Sequence, residues 1–226
     1  MNYDLSIKAK NLTVYCSKSL QEFSKEFVDY YSKSIDGIKN NLGVNDDIKL
    51  VVFLTDNIKY ANFVYGYSDF SGFFNDNGAF AYVNLNGKQD KCLMIRKVIH
   101  ELVHHIYLYY VYGEKNERIT WADEGIAQLF SGQNEKLNDA NLYNDFLSQN
   151  LSCVKNFNLN QLNHDDKSFL NDNGYNLSYI AVRYLYETNS LDKFINIISN
   201  HDILIEIGSS VLKDACSYYG INSKHI

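Results

Sequence analysis

The stretch that most constrains this 226-residue chain is an apolar helix with three ionisable groups in its middle. From Asp90, a suitable N-cap, apolar residues recur at helical spacing through Leu93, Met94, Val98, Ile99, Leu102, Val103 and Ile106, and Gly113 is suited to the position just past the end. Such a helix belongs in a core, yet it carries His100, Glu101 and His104. Ionisable groups are expensive there unless something pairs them. Helix positions i and i+4 differ by about 40° around the axis, so His100 and His104 point the same way, one turn apart. That geometry suits two nitrogens on one tetrahedral ion. Glu101, about 100° around from His100, is poorly placed as a further ligand but can reach a water on the same ion, where a general base is needed. His105, about 140° away, is off the ligand face and reads as structural. With six histidines in the chain, H-E-x-x-H arises by chance in on the order of one per cent of such compositions, so a merely polar helix face is the weaker reading.

A catalytic zinc keeps three protein ligands and one open position. Glu124 offers the third: it lies 20 residues after His104, in Trp121-Ala122-Asp123-Glu124-Gly125-Ile126-Ala127. Thr120 and Asp123 resemble a capping box opening a helix that Gly132 stops. Gly125 and Ala127 supply small surfaces on which this helix can pack closely across the preceding one. Asp123 has two readings, the capping-box acid or a hydrogen-bond partner of a ligand histidine.

The rest of the chain divides by period. Residues 11 to 15 read as a short strand, followed by Ser17 or Ser19 as the cap of an amphipathic helix through Leu20, Phe23, Phe27, Tyr30, Tyr31, Ile35 and Ile38, ending near Gly43. Residues 48 to 55 are a β-branched run expected as a buried strand, 56 to 77 a loop, and 79 to 85 a further strand. Beyond 132, helices are expected near 139 to 150, 175 to 188, 190 to 199 and 202 to 219, with an Asn-rich loop over 152 to 173. No repeat or Gly/Ser linker separates the halves. The expectation is therefore one α+β domain over 1 to 226, with a β-containing lobe of about 1 to 112, a helical lobe of about 113 to 226, and the H-E-x-x-H helix between.

Charge and composition narrow the partners. A net charge of -6, from 27 acids and 21 bases, argues against nucleic acid, whose affinity begins with clustered Lys and Arg. The longest uncharged apolar stretch, 106 to 112, is seven residues, far short of a membrane span. The first ten residues have no apolar leader segment, so the expected location is cytoplasmic. Cys16, Cys92, Cys153 and Cys216 lie too far apart for a C-x-x-C pair and read as buried thiols. The run Tyr107, Tyr109, Tyr110 and Tyr112 reads as packing.

H-E-x-x-H followed about 20 residues later by W-x-x-E-G-x-A resembles the gluzincin metallopeptidases, and is most similar to the small bacterial peptidase MA-like family. The resemblance implies a zincin-like fold and one Zn2+ per chain, held by His100, His104 and Glu124, with Glu101 as general base in peptide-bond hydrolysis. It puts Gly78-Ala79-Phe80-Ala81-Tyr82 at the sheet edge that binds extended peptide, through Ala79, Phe80 and Ala81. The related aminopeptidases carry G-x-M-E-N there, with a Glu for the substrate's free amine; Ala81 stands in its place, which implies an endopeptidase acting on peptide or protein chains. Tyr175 followed ten positions later by Leu185 matches the aminopeptidase helix whose tyrosine steadies the oxyanion, with Tyr179 the alternative one turn on. His164, in the loop segment N-H-D-D, reads either as solvated or as a second oxyanion donor. Other readings of the same residues are a silent zinc- or peptide-binding module and a zinc hydrolase of a non-peptide amide or ester.

Overall fold

Period-two burial builds the sheet of the first part of the chain. In the computed structural model, β1 (Leu5–Ala9), β2 (Leu12–Cys16), β3 (Leu50–Thr55), β4 (Phe70–Asn75) and β5 (Gly78–Val83) form one mixed sheet in the order β1-β2-β3-β5-β4. Leu12, Val14 and Cys16 of β2 and Leu50, Val52 and Leu54 of β3 are buried, while Thr13, Tyr15, Val51 and Phe53 occupy the other face. The structure describes residues 3–45, 47–60, 70–113, 116–152, 154, 158–162 and 166–221. They fall into two units, Met1–Tyr109 and Tyr110–Ile226.

In the first unit, β2 and β3 are parallel and are joined through α1 (Gln21–Asn41), which buries one stripe: Phe23, Phe27, Val28, Tyr31, Ile35 and Ile38. Gly43, at φ 70°, follows its end. Neither expected serine caps α1. Ser17 precedes a 3-10 turn at Lys18–Leu20, the capping position falls to Leu20, and the hydroxyls of Ser17 and Ser19 both donate to the Asp56 carboxylate. The two serines therefore tie the start of the helix to the end of β3.

Two strands fall where the sequence reading put none. β1 pairs with β2, and β4 lies inside the expected loop. Phe70-Ser71-Gly72-Phe73-Phe74-Asn75 lacks clean alternation, so only its pairing with β5 makes it a strand. That pairing also corrects the expected edge. β5 is internal, with Ala79 and Ala81 beside Val52 and Leu54 on one side and beside Phe74 and Gly72 on the other. Its backbone is paired on both sides, so it has no edge left for a peptide, and among the described residues β4 is the outer strand.

α2 (Lys91–Ile106) begins as expected, the Asp90 side chain accepting from the Leu93 N–H at 2.9 Å, and packs on β4 and β5. The helical backbone then widens into a π turn over Tyr107–Tyr112 and stops at Gly113, φ 91°. Cys16 is buried as expected, but Cys92, in the first turn of α2, is exposed; Cys153 lies outside the described residues.

The second unit holds α3 (Thr120–Phe130), α4 (Ala140–Leu151), α5 (Asp166–Asn171), α6 (Gly174–Thr188), α7 (Leu191–Ile198), α8 (His201–Gly208) and α9 (Val211–Tyr218). Thr120 is already helical, Ile119 takes the capping position, and no side chain caps α3, so the expected capping box does not form. The close approach at Gly125 is to α6: a methyl there would meet the Ser178 carbonyl oxygen and, at 2.5 Å, Val182 Cγ2. The helix expected over 202 to 219 is two helices, broken at Ser209 and Ser210, where weak helix formers follow Gly208. The Asn-rich stretch contains α5 and a 3-10 turn at Leu159–Leu162. Cys216 is buried in α9. Among the described residues no helix is long and apolar enough to cross a membrane.

Two glycines test this packing. Gly125→Ala should lower stability by about 1–3 kcal/mol in urea denaturation, because a buried backbone carbonyl has to give way. Gly37, on α1, has nothing within 4 Å of the place a methyl would take, so it should tolerate Ala and gain up to about 1 kcal/mol from helix propensity. Equal effects at the two sites would contradict the close α3–α6 approach.

Candidate metal centre

One turn of α2 brings two imidazoles together in the core. His100 and His104 are 9 % and 2 % exposed, and their Nε2 atoms lie 2.9 Å apart with the rings nearly perpendicular. Two nitrogens on one tetrahedral zinc, with bonds of roughly 2.0–2.1 Å, sit about 3.3 Å apart, so the pair is within a few tenths of an ångström of that spacing. Phe74 of β4 stacks on the His104 ring, centroids 4.9 Å apart and planes 18° off parallel, which fixes the ring's orientation. His105 turns away: its Nδ1 is 3.0 Å from the Asn75 carbonyl oxygen and its ring packs on Tyr109. A carbonyl only accepts, so Nδ1 carries the hydrogen, a structural role matching its place off the ligand face.

Glu101 is half-buried beside β4. A methyl on Gly72 would lie 2.7 Å from both Cγ and Oε1 of Glu101, so the missing side chain is the room that Glu101 occupies. Gly72 was not singled out from the sequence. A glycine within an aromatic run is a sign of close approach once the run is known to be a strand.

Glu124, 8 % exposed, stands in the first turns of α3 next to the fully buried Asp123. Arg118 joins them: its Nε donates to Asp123 Oδ2 at 2.6 Å and its Nη2 to Glu124 Oε1 at 3.0 Å. Asp123 is thus an ion-pair partner rather than a capping acid. Arg118 was also missed from sequence, although it is one of only three arginines and lies just ahead of the two acids.

One ligand atom from each of His100, His104 and Glu124 lies within 4.8 Å of the others, and all three residues are buried, so this group could hold a metal ion. Two imidazole nitrogens and a carboxylate oxygen are a donor set that zinc uses when it keeps an open position.

The other sequence-derived candidates divide. Tyr175 is the second residue of α6, half-buried, with its ring edge-on to Phe169 at 5.0 Å and its carbonyl accepting from Gln128 Nε2 at 2.7 Å. Tyr179 is 2 % exposed; its hydroxyl accepts from Arg183 Nη1 at 3.1 Å and its ring packs on Tyr143 and Phe146. Burial pushes the Tyr179 phenol up against the pull of the Arg183 charge, so it stays protonated. Ala79 and Ala81 are buried core residues on the internal strand, and with Phe80 they lose the peptide-edge role expected of them. His164 lies outside the described residues. No family model matches the chain, and no curated protein matches it.

Metal analysis and calorimetry check the site directly. The purified protein should bind one equivalent of zinc, and at free zinc about a hundredfold above the dissociation constant its stability should rise by roughly 2.7 kcal/mol. Replacing His100, His104 or Glu124 by Ala should remove most of the metal and the stabilisation; a variant that retained both would expose a wrongly assigned ligand.

Proposed function

We propose that the protein is a zinc-dependent metallopeptidase of the gluzincin type, similar to the peptidase MA-like family. The observation that carries this reading is the buried pair of Nε2 atoms 2.9 Å apart, grouped with Glu124, with Glu101 lying between the two histidines in the same helix turn. The buried two-nitrogen, one-oxygen donor set fits zinc, which when bound supplies Lewis acidity towards a carbonyl oxygen and towards water.

The chain's own residues supply the rest. Glu101, with its side chain in the space left by Gly72, takes the proton of the attacking water on a carboxylate oxygen and hands it to the leaving nitrogen. Phe74 keeps the His104 ring in one orientation and covers it from water. Tyr175 is the neutral donor to the carbonyl oxygen as it becomes an anion. Tyr179 is less suited, because its side chain is buried among Tyr143, Phe146 and Arg183. An extended substrate pairs with β4, the outer strand. The residues of β4 include no acid that could bind a free substrate ammonium, which favours internal cleavage of a chain. A silent zinc module has no use for Glu101.

Glu101→Gln should keep zinc content and melting temperature but lower turnover of N-terminally acetylated, quenched-fluorescent peptides by at least about 10²-fold. Unchanged turnover would remove the mechanism, and no turnover in the wild type on any peptide or ester would favour a binding module.

Tyr175→Phe should reduce kcat by roughly 10- to 10³-fold with KM and zinc nearly unchanged. Tyr179→Phe should instead lower stability by about 1 kcal/mol, the worth of a lost buried hydrogen bond, with kcat preserved. The reverse pattern would move the donor one helical turn.

A further inference from the structure

We infer that Arg118 is a positioning residue of the metal centre: anchored on Asp123, its guanidinium holds the Glu124 carboxylate in the orientation in which that carboxylate meets the ion. The inference rests on Glu124 being a ligand, as proposed above.

Asp123 and Glu124 are adjacent in sequence and both buried. Neighbours in a helix point about 100° apart, so their carboxylates diverge unless something joins them. Arg118 does so with two of its donors, Nε on Asp123 at 2.6 Å and Nη2 on Glu124 at 3.0 Å. The edge of a guanidinium that commonly grips one carboxylate here spans two, and a planar group held at two points fixes both side chains in direction as well as charge. Oε1 of Glu124 accepts from Arg118, so the direction of the whole carboxylate is set by the guanidinium.

The arginine is itself held. Its preceding residue, Glu117, has its carbonyl bonded by the Tyr112 hydroxyl at 2.8 Å, and the same hydroxyl meets His201 Nδ1. The phenol gives its single hydrogen to the carbonyl, so His201 Nδ1 supplies the hydrogen of the second bond. Tyr112 and His201 thus anchor the short segment that carries Arg118 ahead of α3.

Charge and position predict opposite outcomes. A cation beside a metal ligand opposes a dication, so by Coulomb attraction alone the loss of Arg118 should tighten metal binding. If Arg118 acts by orienting Glu124, its loss should weaken binding, by the 10- to 100-fold typical of residues that hold a ligand from behind. Lysine separates the two further, because it keeps the charge but lacks the planar fork.

The test measures zinc affinity by competition with a chelator, and ligand geometry by the absorption spectrum of the cobalt-substituted protein, in wild type, Arg118→Ala, Arg118→Lys, Asp123→Asn and Glu124→Gln. Circular dichroism checks the fold of each metal-free variant. Arg118→Ala and Arg118→Lys should both bind one equivalent with affinity reduced about 10- to 100-fold and a changed cobalt spectrum. Asp123→Asn, which loosens only the anchor, should lose less. If Arg118→Ala does not fold, the Lys variant decides alone. Affinity that is unchanged or tighter, with an unaltered spectrum, would overturn the inference. Glu124→Gln reports on the parent reading: full zinc affinity there would remove Glu124 as a ligand whatever Arg118 does, while loss there with Arg118→Lys unaffected would sink only the positioning role.

Discussion

Two imidazoles in the apolar interior of α2 are the constraint to which the rest of the first unit answers. Left among Val98, Ile99, Leu102, Val103 and Ile106, two buried polar rings would be costly, and with Nε2 atoms 2.9 Å apart they share one small volume. The neighbouring side chains are arranged about that volume. Phe74 covers one ring, Glu101 lies against the bare backbone of Gly72, and His105 turns to the Asn75 carbonyl. All three partners, Gly72, Phe74 and Asn75, come from β4, so one outer strand supplies the setting for Glu101, His104 and His105 of the helix.

The strand order explains why β4 takes that part. With β3 on one side of it and β4 on the other, β5 has no unpaired backbone, and its small residues Ala79 and Ala81 serve the core. β4 keeps one edge outward and the other in the ladder. A strand so placed can support the helix and still pair with an extended chain.

In the second unit the corresponding constraint is a pair of adjacent buried acids. Asp123 and Glu124 tolerate burial because Arg118 reaches both, and α3 keeps its place because Gly125 lets it lie close along α6. The different surroundings of Tyr175 and Tyr179 follow from the same packing. Tyr179 faces Arg183, Tyr143 and Phe146 in the interior, whereas Tyr175 stands half-buried at the start of α6.

What the sequence determined by itself was local. The cap at Asp90, the apolar stripe of α2, the i, i+4 pairing of His100 and His104 and the position of Glu101 relative to them all follow from the geometry of a single helix. Glu124 was legible for a related reason, since a carboxylate in a short motif can be recognised as the missing third donor without knowing the path between. The internal position of β5, the existence of β4, the partner of Gly125 and the double grip of Arg118 were not legible. Each depends on a contact between segments whose meeting is chosen by the packing of the whole unit, as when Gly72 makes room for Glu101 29 positions later. A β-strand in particular is defined by its neighbours, because its backbone donors and acceptors are satisfied only by another segment, whereas a helix satisfies its own. The helix that carries His100, Glu101 and His104 could therefore be read from the chain, and the strand that supports it was decided by tertiary structure.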